Sequence, residues 1–159
     1  MSRLSELRDA VAAHLTANLT TSVVTSVVSN FTPEELDEPV IAVKSGDRVV
    51  QIDMGADSRV VTLVISVLGR KPKSEGYAAE PTASYREQEV TACDAFDLVA
   101  ENVLAVFTPL TDYARCPIAG HRLTSVTQEV GFDIPAYYEN GVWFTNITLE
   151  FYDYDDEDI

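Results

Sequence analysis

His14, His121, Cys93 and Cys116 hold most of the side-chain chemistry this sequence offers outside its acids. Both residue types ligate metals. Cys116 and His121 share the stretch leading into Arg122, read as a loop, and would give two ligands where a structural zinc takes four. Cys93 falls in a helical pattern and reads as packing. His14 lies near the polar edge of another such pattern and reads as solvated. Two scattered cysteines do not make a disulfide framework. Neither a Gly-x-Ser-x-Gly elbow nor a glycine-rich phosphate loop occurs. Three Asn-x-Thr triplets, at Asn18, Asn30 and Asn146, match a glycosylation acceptor, but Met1–Leu15 reads as a charged amphipathic pattern and not as an apolar secretory leader. The triplets therefore read as chance.

The acids are the larger resource. There are 26 Asp and Glu against 11 Lys and Arg, a net charge of -15. So many carboxylates make chance pairs easy, and a solvated acidic face explains them better than acid–base catalysis. The run from Asp153 to Asp158 offers oxygen ligands to a hard cation, yet lacks the glycine and distal Glu of an EF-hand loop. No catalytic, cofactor-binding or metal-binding residue is assigned. The charge argues against a nucleic-acid-binding face. It favours solubility and opposes self-association unless the contacts are neutralised. Only three of the basic residues are Lys, namely Lys44, Lys71 and Lys73. That bias suits a salt-rich cytoplasm, where screening removes self-repulsion, and would also arise from a GC-rich genome.

The elements that would position these residues read as one α+β domain over 1–152, followed by an acidic tail over 153–159. The 159-residue chain is long enough to bury a core without a disulfide or metal. No apolar run approaches the roughly 18 residues of a membrane helix. Leu4, Leu7, Val11 and Leu15 recur at helical steps and predict a first helix that fades near Asn18. The Val- and Thr-rich stretch Thr20–Asn30 favours a strand, with a helix as the alternative. Thr32-Pro33-Glu34-Glu35-Leu36 predicts one helical turn before Pro39. Val40–Lys44 and Arg48–Met54 read as two strands separated by a Ser45-Gly46-Asp47 turn. Arg59–Leu68 reads as a long strand, apolar on both faces.

Residues 69–84 read as a loop, long enough to be functional or mobile. Tyr85–Phe107 carries the apolar stripe Val90, Cys93, Phe96, Val99, Ala100, Val103, Leu104 and Phe107 and predicts the main helix. Thr111–His121 reads as a loop, and Arg122–Val130 and Val142–Tyr152 as strands. Asn140-Gly141 gives a turn signal before the last of these. That last strand places Trp143, Thr145, Ile147, Leu149 and Phe151 on one face. The fold class is thus α+β, with an antiparallel or mixed sheet of four to five strands and helices packed on one face.

One signal points outward. A strand apolar on both faces needs cover on both, and Val142–Tyr152 carries Phe144 and Tyr152 on its nominally polar side. Two readings stand: a protein interface, or cover by the first helix or the Thr20–Asn30 segment.

The order of elements resembles the tail terminator and tail-completion (neck) proteins of long-tailed phages and related archaeal tailed viruses. The likeness runs from an amphipathic helix through Phe31-Thr32-Pro33-Glu34-Glu35-Leu36-Asp37-Glu38-Pro39-Val40-Ile41-Ala42-Val43 and the hairpin Arg48–Leu68. It continues through a long helix to the closing strand Trp143-Phe144-Thr145-Asn146-Ile147-Thr148-Leu149-Glu150-Phe151. It covers most of the chain but rests on element order and loose patterns. The 69–84 loop and the acidic tail depart from it. The resemblance implies a virion protein of the neck or tail, assembled in the host cytoplasm, without enzymatic activity or cofactor. It implies a ring of six copies that caps the tail tube, meeting the tube protein and a head-completion or connector protein. Six copies would carry a charge of about -90, so DNA would pass the bore without sticking. The alternatives are another head–tail neck component, or a small acidic cytosolic enzyme or regulator.

Overall fold

The computed structural model describes residues 3–26, 31, 35–53, 56–72, 83–111, 118–128 and 134–153. Helix α1 (Arg3–Asn18) comes first, and Leu7, Val11 and Leu15 on its inner face are fully buried. Strand β1 (Ser22–Ser26) follows, then β2 (Val40–Asp53) and β3 (Ala56–Arg70). Helix α2 (Ala83–Phe107) buries Phe96, Ala100, Val103 and Phe107, and passes into a 3-10 turn at Thr108–Thr111. Strand β4 (His121–Gln128), helix α3 (Ile134–Asn140) and strand β5 (Val142–Asp153) complete the described elements.

The fold is α+β, with a five-stranded mixed sheet in the order β1-β2-β3-β5-β4. β1 runs parallel to β2, and every other neighbouring pair is antiparallel. The central pair is β3 and β5, in register from Arg59 opposite Asp153 to Arg70 opposite Val142. Alternation on these strands sets the core. Val61, Leu63, Ile65 and Val67 face the helices with Trp143, Ile147, Leu149 and Phe151, and join Leu7, Val11, Leu15, Phe96, Val103 and Phe107 in one cluster. Both long helices therefore cover the same face of the sheet.

The opposite face has a second, smaller core. Leu36, Ala42, Leu68 and Val142 are buried there, with Val24, Phe31, Val40 and Phe144 packed against them. The cover thus comes from the connection between β1 and β2, which brings in Phe31 and Leu36. Among the described residues, none from the first helix packs into this second core. Arg70 Nη1 pairs with Asp37 Oδ1 at 3.1 Å and ties the same connection to the end of β3. Being largely exposed on the Asp37 side, that pair is worth under about 1 kcal/mol.

Several expectations need correction. Ser45-Gly46-Asp47 does not separate two strands: β2 is continuous, and the residues appear as a register shift between Ser45 and Arg48. Glycine inside a strand commonly marks such a bulge. The stretch read as a turn at Glu139-Asn140-Gly141 is the end of α3. Gly141 sits at φ 68° and its N–H donates to the Tyr137 carbonyl at 3.2 Å, a left-handed helix cap. The expected 69–84 loop begins two residues late, because β3 runs to Arg70, and α2 starts at Ala83. Of the turn read at Thr32–Leu36, residues 32–34 lie outside the described residues. The same holds for the rest of the 69–84 loop, residues 73–82. Asp153, the first acid of the expected tail, ends β5, and residues 154–159 are outside the description.

A two-residue turn opens β4. Ile118 and His121 exchange both backbone hydrogen bonds at 2.9 Å, while Ala119 has φ 48° and Gly120 φ 74°. Two positive φ values define a type I′ turn, which favours Asn-Gly. Alanine in the left-handed region carries a Cβ penalty of about 1–2 kcal/mol. Ala119→Asn is therefore expected to raise stability by about 0.5–1 kcal/mol, read from the thermal midpoint. No gain would mean that the turn is relaxed differently in solution.

Candidate functional site

Three surfaces stand out once the core is assigned. The first is an aromatic cluster where α2, α3 and the end of β3 meet. The first turns of α2 put Tyr85 and Glu89 on the helix's inner side, leading into the apolar stripe at Cys93. α3 lays Tyr137 against them, and the Tyr137 hydroxyl donates to Glu89 Oε2 at 2.7 Å. Tyr85 donates to the Pro72 carbonyl at 2.9 Å. Lys71 Nζ lies over two rings at once, 5.1 Å from the centre of Tyr137 and 4.9 Å from that of Tyr138. Tyr137 is buried and Tyr138 is 65% exposed, with their rings edge to face at 5.2 Å. A cation over two aromatic faces gains about 0.5–2 kcal/mol, depending on desolvation.

The electrostatics of this cluster favour protonated groups. Burial pushes the Tyr137 phenol well above its ordinary range, and the hydrogen bond to Glu89 and that residue's charge add to the effect. Tyr85 shifts the same way, first by burial and then by the Glu89 charge. Burial also raises the Cys93 thiol, aided by Asp97 and Glu89 and opposed by its hydrogen bond with Tyr137. A thiol raised in this way is a poor nucleophile, because only the thiolate attacks. Cys93 is accordingly expected to alkylate more slowly than a free cysteine at pH 8, read by mass spectrometry of the peptide that contains it. Reaction at the free-thiol rate would contradict the placement.

The second surface is the sheet face away from the helices. Beyond the small core, β3 presents Val60, Thr62 and Val64, and β5 presents Thr148, Glu150 and Tyr152. Val60, Val64 and Tyr152 are half-buried, and Phe144 is half-buried at the core's margin. Lys44 of β2, opposite Val64, is half-buried too, and desolvation lowers its ammonium below the usual range. Further along β3, Ser66 is fully buried and donates to Asn146 Oδ1 at 2.6 Å across the strand pair.

A third surface is an acidic ridge on the outer side of α2. Asp94, Asp97 and Glu101 stand at spacings that share one helix face, with Leu98, 56% exposed, among them. The Asp97 carboxyl lies above its ordinary range through partial desolvation and then through the charges of Asp94 and Glu101.

The chemistry-bearing residues singled out in the sequence are not brought together. His14 is not fully solvated: it is half-buried, and its ring centre lies 6.1 Å from that of Phe107. His121 is not in a loop. It begins β4 opposite Asp153, is 2% exposed, and its Nδ1 lies 2.8 Å from the Ala119 carbonyl. The type I′ turn returns the chain at once, so the strand starts a residue early. Cys116 lies outside the described residues. Cys93 packs against the main core as a partly buried residue. Among the described residues no cluster of three or more His, Cys, Asp or Glu could hold a metal ion. No helix among them is long and apolar enough to cross a membrane. The tyrosine–lysine cluster has no signature in the sequence, since its members come from three separated segments.

No protein-family model matches the chain, and no curated protein sequence matches it significantly.

Proposed function

We propose that this chain is a ring-forming structural protein of a virus neck, of the tail-terminator kind, and that it acts by assembly. The observation that supports this reading best is the two-sided character of the β3–β5 pair. Both long helices cover one face, and the other face keeps Val60, Val64 and Tyr152 at half-burial beyond its small second core, with Phe144 half-buried at that core's margin. Half-exposed apolar residues on a sheet face are what a neighbouring copy would bury. The described elements keep the order on which the resemblance rests. Helix α1 leads into the sheet, a β-hairpin precedes the long helix, and β5 lies between β3 and β4. The protonated thiol and phenols of the tyrosine cluster fit a packing role.

In this reading the ring caps the tail tube and presents a face to the head connector, and its acidity leaves the bore non-adhesive to DNA. The charge also sets a condition for assembly. At -15 per copy, self-association should strengthen as salt screens the repulsion. The purified protein is expected to form a closed ring, of six copies by the resemblance, in native mass spectra and electron micrographs. The ring should grow more populated with added salt. Val64→Asp should shift it to monomer with little change in the circular-dichroism spectrum. A monomer at every salt and protein concentration, in a protein absent from virions, would overturn the reading.

A further inference from the structure

We draw no further inference here: the strongest candidate, the cluster of Tyr85, Tyr137 and Tyr138 around Lys71 at the junction of α2, α3 and the end of β3, is filled by its own lysine, and nothing in the structure shows what covers its exposed Tyr138.

Discussion

Trp143→Ala is expected to remove about 3–5 kcal/mol of folding stability, the range for truncating a buried tryptophan. Trp143 is fully buried and is the largest of the buried side chains. It stands on β5, one of the two central strands, and its ring centre lies 5.3 Å from that of Phe96 on α2 at a tilt of 41°. It therefore joins the sheet to the main helix at the middle of the core. Truncation loses the transfer energy of the indole and leaves a cavity that neighbours on a rigid sheet fill poorly. Domains hold about 5–15 kcal/mol in all, so the variant should sit near its unfolding threshold. Urea denaturation followed by circular dichroism measures it, since the chain's only tryptophan is the one removed. A loss below about 1 kcal/mol would mean that the site is far less packed than a buried core position. Trp143→Phe should fall between the two, because it keeps a ring against Phe96.

How much of this was legible from residue types depended on the length of each pattern. β5 was readable because Trp143, Thr145, Ile147, Leu149 and Phe151 alternate without a break, and all five are buried. α2 was readable because its stripe holds for many turns, although Val90, placed in that stripe, is 60% exposed. α3 was not. Its seven residues are too few to show a period, and its docking comes from Tyr137 on Glu89 and from Lys71 over the two rings. The signals present were Pro135 in the first turn and Gly141 just past the end. The Asn140-Gly141 pair serves a hairpin turn and a helix cap equally well, and only the contacts decide.

The break read at Ser45-Gly46-Asp47 failed for a related reason. Those residue types favour turns, but β3 runs unbroken alongside and holds β2 straight through the irregularity. The second face shows the limit most clearly. The sequence reveals that β3 is apolar on both sides, and this is borne out by Leu63 and Leu68, both buried on opposite faces. It does not reveal that Phe31 and Leu36 supply part of the cover, because that depends on where the chain travels between two parallel strands. Nor can spacing show the tyrosine cluster, whose parts meet only after β3, α2 and α3 are packed.

Gly69 offers the sharpest test of the helix–sheet packing. It lies opposite Trp143 in the β3–β5 register, under the Phe96 ring. A Cβ at this position would stand 2.6 Å from Phe96 Cδ1 and closer still to Cε1, inside any real contact distance. The glycine is thus needed for lack of a side chain, not for an unusual backbone angle. Gly69→Val must displace Phe96, and through it Trp143, at an expected cost of about 1–3 kcal/mol or somewhat more. Phe96 is itself buried at 7% exposure, so Phe96→Ala should cost about 3–5 kcal/mol. The two changes act on one volume, since the valine occupies space that the lost ring vacates. The double variant should therefore be more stable than the sum of the single effects predicts, by about 1–2 kcal/mol, within the range for residues in contact. Additive costs, measured by urea denaturation of all four proteins, would show that Phe96 does not rest on Gly69. Sub-additive costs would place the middle of α2 directly on the central strand pair.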